Sequence, residues 1–230
     1  MTFDKRQCHT MMLPRIEIQT TADGSSTLYR SDIDEHYHST NGAVTEAEHV
    51  YIQHGLYGTT NRPVSVLEIG FGTGLNAILT YIAAECSYLP VDYTTCELYP
   101  LAIETIEQLN YHLPATAINV FKELHECPWN EPYAVSPHFT FTKLHTDLTQ
   151  LPLTGQYDVI YFDAFAPDKQ PEMWTEEIFK HIYEKTNPGG VLVTYCAKGV
   201  IRRMLQSVGF TTERLPGPPG KREMLRATKK

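Results

Sequence analysis

The stretch VSVLEIGFGTGLNAIL, residues 64–79, decides the fold of this chain. It begins with the apolar run Val64–Ile69, continues through three glycines at alternate positions, and enters a helical pattern at Leu75–Ala84. A second apolar run follows at Tyr93–Glu97. Because a buried strand, a crossover helix and a second strand form a parallel unit, this stretch predicts an α/β fold.

Toward the C-terminus the same alternation of strand and helix patterns continues, and only residues 111–137 read as an irregular insertion. The last two strand patterns flank a Pro-Gly turn at Pro216–Gly220 and predict a hairpin. We therefore predict a Rossmann-like α/β domain with a mostly parallel, seven-stranded sheet that ends in an antiparallel hairpin. The further predicted elements are strands Phe139–Leu144, Asp158–Asp163, Val191–Cys196, Phe210–Leu215 and Glu223–Thr228, helix Leu101–Leu109 with Pro100 in its first turn, and a helix ending near Gly209.

Before the first core strand, the chain carries a different kind of pattern. Strands Arg15–Thr20 and Ser26–Arg30 flank a turn signal and predict a small hairpin. The polar and aromatic segment Ser31–Gly42 is interpreted as a cover loop, and Thr45–Gly55 as a helix. We expect residues 1–60 to form an extension packed on a core domain of residues 61–230, in one structural unit.

Composition narrows the possible classes of protein. No run approaches the roughly 18 apolar residues of a membrane helix, and Met1–His9 lacks the pattern of a signal sequence. We expect a cytoplasmic protein that does not enter membranes. The five cysteines, none in a CxxC pair, are interpreted as reduced thiols, and the histidines lack metal-ligand spacing, so that no metal is expected and His36 and His38 are interpreted as polar surface residues. These cysteines are Cys8, Cys86, Cys96, Cys127 and Cys196.

Charge is distributed unevenly along the chain. The net charge is −8, yet residues 196–230 hold nine basic and two acidic residues. This tail region therefore permits a local basic patch on an acidic body, although an ordinary solvated surface explains it equally well. A nucleic-acid partner is thus not excluded by the overall acidity.

The glycines of residues 70–74 follow a strand and open a helix, which lets backbone amides approach a polar ligand closely. Glu97 ends the next strand, where a carboxylate can bind both ribose hydroxyls of either a nicotinamide cofactor or S-adenosylmethionine. Glu68 just before the glycines, together with the terminal hairpin, resembles the class I methyltransferases. That resemblance implies S-adenosylmethionine as the cofactor and Asp147 as the partner of its adenine amino group.

Asp163 ends the fourth core strand at the carboxyl edge of the sheet and is the best catalytic candidate. From here the chain resembles the methyltransferase domain of the MnmC family. The matching motifs are Leu67–Asn76, Asp-x-Phe-x-Pro-x-Lys-x-Pro-x-Met-Trp at Asp163–Trp174, and Thr-Tyr-x-(Ala/Ser)-x-Gly-x-x-Arg-Arg at Thr194–Arg203, and Ser31–Glu46 is similar to the family's upstream loop. The Asp163–Trp174 match is specific, whereas the glycine loop alone is not.

The resemblance implies methylation of 5-aminomethyl(-2-thio)uridine at the tRNA wobble position to 5-methylaminomethyl(-2-thio)uridine. The flavin-dependent oxidase half of many MnmC proteins has no counterpart in these residues, so the standalone activity is expected, with the amine supplied by the MnmE and MnmG pair. The expected cofactor contacts are Glu68, Gly70, Gly72, Gly74, Asn76, Glu97, Asp147 and Asp163.

An alkylamine has a pKa of about 10 and needs its free lone pair for methyl transfer. Asp163 is expected to orient that amine rather than act mainly as a base, because a carboxylate also stabilises the ammonium form. Aromatic side chains are expected to hold the splayed anticodon base, and basic side chains to bind phosphates. The expected substrate contacts are Tyr37, Glu46, Phe165, Lys169, Trp174, Tyr195, Lys198, Arg202 and Arg203, with Lys221 and Arg222 as further candidates for phosphate.

Three alternatives remain open from the sequence. One is methyl or aminopropyl transfer to a small-molecule amine, by an enzyme of the spermidine-synthase type. The others are a nicotinamide-dependent oxidoreductase and a cofactor-binding protein without catalysis. The basic tail region and the residues around Trp174 favour RNA over a polyamine.

Overall fold

An eight-stranded sheet forms the centre of the structure, a computed structural model that describes residues 16–150 and 153–230. Cys8, the segment Met1–His9 and the predicted strand residue Arg15 lie outside the described residues. The strands are β1 Ile16–Thr20, β2 Ser26–Arg30, β3 Glu35–His36, β4 Val64–Ile69, β5 Val91–Glu97, β6 Pro132–Ser136, β7 Phe139–His145, β8 Tyr157–Phe162, β9 Thr186–Thr194, β10 Thr211–Pro216 and β11 Glu223–Thr228. The α-helices are α1 Ala43–Ala47, α2 Leu75–Ser87, α3 Ile103–Ile106, α4 Ala115–Glu126, α5 Glu176–Lys185 and α6 Gly199–Ser207.

The strand order creates a ligand-binding edge. Across the large sheet the order is β10, β11, β9, β8, β4, β5, β7, β6, and the five strands from β9 to β7 run parallel. The chain moves from β4 outward to β5 and β7, then returns to β8 on the other side. A reversal of this kind opens a crevice beyond the carboxyl ends of the central strands. Residues 70 and 163 therefore meet there, and Asp163 N donates to Ile69 O at 3.1 Å.

Burial explains why the central strands form where they do. Every residue of β8 is buried, and β4 is buried at all positions except Ser65. Continuous apolar strands of this type are typical of parallel sheets covered on both faces. Asp158 stabilises the opposite edge of the sheet, where strands β4 and β8 begin. Its carboxylate accepts hydrogen bonds from Ser65 and from the side-chain amides of Asn61 and Asn187.

The prediction for residues 111–137 is wrong. This segment contains helix α4 and strand β6, and β6 pairs antiparallel with β7, so the sheet has eight strands instead of seven. The strand is short, begins with Pro132 and alternates between exposed and half-buried residues, which hides it from a search for apolar runs. The predicted helix Leu101–Leu109 is reduced to α3, which begins after Ala102. The α/β class, the mostly parallel sheet and the terminal hairpin are confirmed.

The predicted N-terminal hairpin is confirmed as β1 and β2, and the short strand β3 adds a third member. The predicted helix Thr45–Gly55 begins earlier, as α1, and continues as a π-helix over Glu48–Gln53. The extension contacts the core where Ser26 N donates to Asn110 O. The division into an extension of residues 1–60 and a core of residues 61–230, within one structural unit, stays a prediction. Among the described helices, none is both long and apolar enough to span a bilayer.

Candidate active site

The loop after β4 owes its shape to its glycines. Gly70, Gly72 and Gly74 all have positive φ angles, of +90°, +51° and +76°. A Cβ on Gly70 would lie 3.0 Å from the carbonyl oxygen of Asp163, and one on Gly74 would lie 2.6 Å from the ring of His125. Side chains at these positions would both strain the backbone and fill the space above the sheet. The glycines therefore keep a polar cradle open at the N-terminus of α2.

A cavity of about 820 Å³ lies beyond β4, β5 and β8 and is lined by Glu97 and Asp147. Glu97 accepts hydrogen bonds from Gly72 N at 3.0 Å and Tyr99 N at 2.8 Å. Each carboxylate oxygen keeps a lone pair for a further donor. Asp147 accepts from Thr149 at the start of a short 3₁₀ turn. Both predicted acids thus line one cavity, and their contacts with the ribose and adenine of a cofactor stay a prediction.

A second cavity, of about 330 Å³, continues from the first. The two share lining residues, among them Tyr37 and Phe165, whose rings meet edge to face at 5.0 Å. The smaller cavity is lined by Asp163, Asn76, Glu46, Tyr195 and Lys221. The two cavities therefore adjoin at shared residues, and Asp163 lines only the smaller one.

Two donors hold the carboxylate of Asp163. The hydroxyl of Tyr51 donates to Oδ1 at 2.6 Å, and the Asn76 amide donates to Oδ2 at 2.8 Å. Burial raises the pKa of Asp163 to about 6, although both donors and the Lys221 ammonium oppose that rise. The acid is therefore fixed in orientation and titrates close to neutral pH. Asn76, predicted as a cofactor contact, lines the smaller cavity and positions Asp163.

Tyr51 was missed by sequence reasoning. It lies in the π-helix of the N-terminal extension and is 2% exposed. A single tyrosine within a helical pattern carries no local signal for a catalytic contact. Only the packing of the extension on the sheet brings its hydroxyl to Asp163.

His38 and His125 hold the glycine loop from two sides. His38 Nε2 contacts the Thr73 hydroxyl at 2.8 Å, and His125 Nε2 donates to the Thr73 carbonyl at 3.1 Å. Burial lowers the pKa of each imidazole to about 4, so both are neutral at pH 7. His38, interpreted from the sequence as a polar surface residue, is half-buried and is hydrogen-bonded to the glycine loop. His36 is half-buried and contacts Gln19.

Glu68 does not take the position expected of a cofactor contact. Its side chain is fully buried beneath the loop, it lines neither cavity, and its carboxyl oxygens have no hydrogen-bond partner among the described residues. Burial raises its pKa to about 8. The acid is therefore mostly protonated at neutral pH, and its contact with the cofactor stays a prediction that this buried position does not support.

Trp174 is also placed differently from its predicted role as a base-stacking residue. The indole is 4% exposed and packs between Phe162 and Phe179, and its Nε1 donates to the Phe165 carbonyl at 2.7 Å. It lines neither cavity. Trp174 therefore fastens the segment that carries Phe165 to the core. Phe165, Tyr37 and Tyr195 do line the smaller cavity, as predicted.

The predicted basic contacts are spread over one surface. Lys169 lines the larger cavity and pairs with Asp34 at 3.2 Å, whereas Lys198 at the start of α6 pairs with Asp168. Arg203 is exposed and Arg202 is half-buried. Lys198, Arg202 and Arg203 line neither cavity, and contact of any of these four side chains with RNA stays a prediction. No group of histidine, cysteine and acidic side chains suited to a metal ion occurs within residues 16–150 and 153–230.

A glycine loop after β4, an acid at the end of β5 and an acid at the end of β8 are the arrangement expected of a class I S-adenosylmethionine-dependent methyltransferase, and the family match decides for that class over a nicotinamide enzyme. Residues 105–230 match the family described as S-adenosyl-L-methionine-dependent methyltransferase, and the chain belongs to that family. The cofactor predicted from sequence is thereby confirmed.

Curated relatives give a finer similarity. The chain is 31% identical over 215 residues to the tRNA 5-methylaminomethyl-2-thiouridine biosynthesis bifunctional protein MnmC of Cupriavidus necator, which covers 85% of this chain and 32% of that protein. It is 32% identical over 214 residues to the protein of the same name from Pseudomonas syringae pv. tomato, covering 85% and 32%. The chain thus spans about a third of the length of the curated relatives it matches. The predicted resemblance to the MnmC methyltransferase domain is confirmed.

Solved structures agree with this assignment. MnmC2 from Aquifex aeolicus superposes with a TM-score of 0.80 at 25% identity, over 96% of this chain and 72% of that one. Spermidine synthase from Thermotoga maritima gives a TM-score of 0.54 at 14% identity, over 98% of this chain and 85% of that one, and shows the shared fold alone.

Proposed function

We propose that this enzyme transfers the methyl group of S-adenosylmethionine to the 5-aminomethyl nitrogen of the wobble (2-thio)uridine in tRNA, producing 5-methylaminomethyl(-2-thio)uridine. The similarity to MnmC proteins along most of the chain supports a tRNA substrate. The aminomethyl group is a product of another enzyme, for which the MnmE and MnmG pair is the proposed source. A tRNA substrate would place the reaction in the cytoplasm.

One observation carries the proposal. Asp163 lines a cavity of about 330 Å³ that is joined to the cofactor cavity, and both of its oxygens are already oriented by Tyr51 and Asn76. A cavity of this size admits one nucleobase with its aminomethyl substituent, and it does not admit a folded nucleic acid. The substrate base must therefore leave the anticodon stack to bring its side chain into this cavity, where Tyr37 and Phe165 are among the lining residues.

The reaction forms an N–C bond as the methyl–sulfur bond breaks, and one proton leaves the nitrogen. When bound, S-adenosylmethionine supplies the electrophilic methyl group. Asp163 has lone pairs left to accept an N–H of the substrate amine, and this hydrogen bond directs the lone pair of the nitrogen toward the methyl group. Such positioning of the reacting atoms by itself raises the rate. Because the pKa of Asp163 is raised to about 6, the carboxylate is also a better proton acceptor than an exposed aspartate.

The test is transfer of labelled methyl from S-adenosylmethionine to tRNA isolated from cells that lack this protein. Label should appear in 5-methylaminomethyl(-2-thio)uridine after digestion, and Asp163→Ala should lower the rate by about 100-fold or more. Asp92→Ala is the matched control, because Asp92 is an exposed aspartate at the N-terminal end of β5, away from the cavities at the carboxyl ends of the strands. Cofactor binding without any label in tRNA would refute the proposal and direct the search to small amines.

A further inference from the structure

Lys221 occupies an unusual position for a surface lysine. It follows the turn between β10 and β11, yet its side chain lines the smaller cavity together with Asp163. Its ammonium pairs with the carboxylate of Glu46 and lies 4.3 Å from the ring centroid of Tyr195. The Lys221 side chain is 30% exposed, whereas that of Glu46 is 9% exposed. A primary ammonium is thus held inside the cavity by an acid and an aromatic face.

The two groups around the ammonium are built to stay in place. Glu46 accepts a hydrogen bond from Ser39 N at 3.2 Å through its other oxygen. The hydroxyl of Tyr195 donates to the Ala164 carbonyl at 2.9 Å, which ties the ring to the residue after Asp163. With its hydroxyl engaged, Tyr195 presents its ring face to the cavity, and such a face attracts cations. An anionic and an aromatic group in this arrangement form a site for an alkylammonium ion.

We propose that Glu46 and the ring of Tyr195 form the subsite that captures the aminomethyl group of the substrate in its ammonium form, and that Lys221 fills this subsite until the substrate displaces it. This inference rests on the proposed function and names the group that the cavity recognises. At neutral pH the substrate amine and the Lys221 side chain are both primary ammonium ions and have the same recognition chemistry. They therefore compete for one place in the cavity that Asp163 also lines.

Displacement is compatible with the position of Lys221. Its long side chain is anchored in an exposed turn, where Lys221 N donates to Pro218 O. When another ammonium takes its place, the side chain can extend into solvent and meet a backbone phosphate of the RNA, as Lys does readily. Lys221 would then neutralise the charge of Glu46 in the free enzyme and would bind a phosphate of the RNA in the complex.

The test compares the affinity of tRNA carrying 5-aminomethyluridine with that of the same tRNA carrying unmodified uridine, both in the presence of S-adenosylhomocysteine. The ratio of the two dissociation constants isolates the amine subsite from general RNA attraction. Lys221→Met removes the competing ammonium and should raise the preference for the amine by about three- to tenfold, the effect of losing one ion pair and one cation–π contact. Glu46→Gln should abolish the preference.

Two variants provide controls. Lys221→Arg keeps a cation over Tyr195 and should leave the preference near that of the wild type, which separates competition from damage to the fold. Arg222→Met removes the same charge from the adjacent, exposed position and should weaken both RNAs equally. An unchanged or lower preference in Lys221→Met would overturn the inference. A parallel tenfold loss of S-adenosylmethionine affinity would overturn it as well, by showing that Lys221 binds the cofactor.

Failure of the inference and failure of the proposed function give different results. If the wild type methylates the aminomethyl tRNA but Lys221→Met shows no gain in preference, the function stands and the subsite assignment falls. If the wild type neither prefers nor methylates that tRNA, both fall together.

Discussion

The hydroxyl of Tyr51 donates a hydrogen bond of 2.6 Å to Oδ1 of Asp163, although 112 positions separate the two residues in the chain. The contact joins a π-helix of the N-terminal extension to the end of β8. The extension therefore contributes directly to the catalytic site. Removal of this part of the chain is expected to abolish activity even where the sheet remains folded.

Tyr51→Phe removes one of the two donors that stabilise the Asp163 carboxylate. The pKa of Asp163 should rise above its present value of about 6, because the bond from Tyr51 favours the ionised form. The acidic limb of the kcat–pH profile should move to higher pH, and kcat at pH 7 should fall about tenfold, as expected for a hydrogen bond to a charged group. Tyr88→Phe, at a 77% exposed position, is the control. An unshifted limb would contradict this positioning role.

Glu97→Gln should weaken binding of S-adenosylmethionine by about ten- to 100-fold, since an ionised carboxylate binds hydroxyl donors more strongly than an amide does. Titration calorimetry with S-adenosylhomocysteine measures the loss. The substitution also changes the side chain that accepts the hydrogen bond of Gly72 N, which could disturb the glycine loop. Thermal unfolding therefore checks that the variant is folded. The control Asp92→Asn lies at the opposite end of the same strand. A change of less than twofold in Kd for Glu97→Gln would remove Glu97 from the cofactor site.

The neutral imidazole of His125 should make stability depend on pH. Its folded-state pKa is lowered to about 4, below the ordinary value of 6.5, so the unfolded chain binds the proton more readily. The free energy of unfolding should therefore fall as pH drops from 6.5 toward 4, by up to about 1.4 kcal/mol per pH unit from this residue. Urea unfolding at pH 7, 6 and 5 should show a shallower fall for His125→Gln than for the wild type. Exposed His145→Gln should retain the wild-type slope.

Glu68 should act with the opposite sign. Its folded-state pKa is raised to about 8 from 4.5, so the folded protein holds a proton that the unfolded chain releases. Stability from this residue is present below pH 4.5 and is lost as pH rises toward 8, again by up to about 1.4 kcal/mol per unit. Glu68→Gln should thus become more stable, relative to the wild type, at pH 8 than at pH 5. Equal differences at both pH values would show that Glu68 is ionised in the folded protein, and exposed Glu104→Gln serves as the control.

The sequence by itself determined the frame of this protein. Strands Val64–Ile69 and Glu223–Thr228 agree with the prediction at both ends, because apolar runs bounded by turn residues are local signals. The glycine loop and Glu97 were placed at the cofactor cavity for the same reason: chain order fixes which residues follow parallel strands at one sheet edge. The candidate acid Asp163 follows from its place after a core strand, and the cofactor class follows from the resemblance to class I methyltransferases.

Only the tertiary structure decided which distant side chains complete the site. Tyr51 reaches Asp163, and His38 reaches Thr73, through packing of the extension on the sheet. Trp174 shares a motif with Asp163, yet it turns into the core, where a large aromatic surface is removed from water. Lys221 enters the cavity instead of facing solvent, because a hairpin turn brings it opposite Glu46. Such contacts depend on three-dimensional neighbours, and residue type and spacing along the chain do not encode them locally.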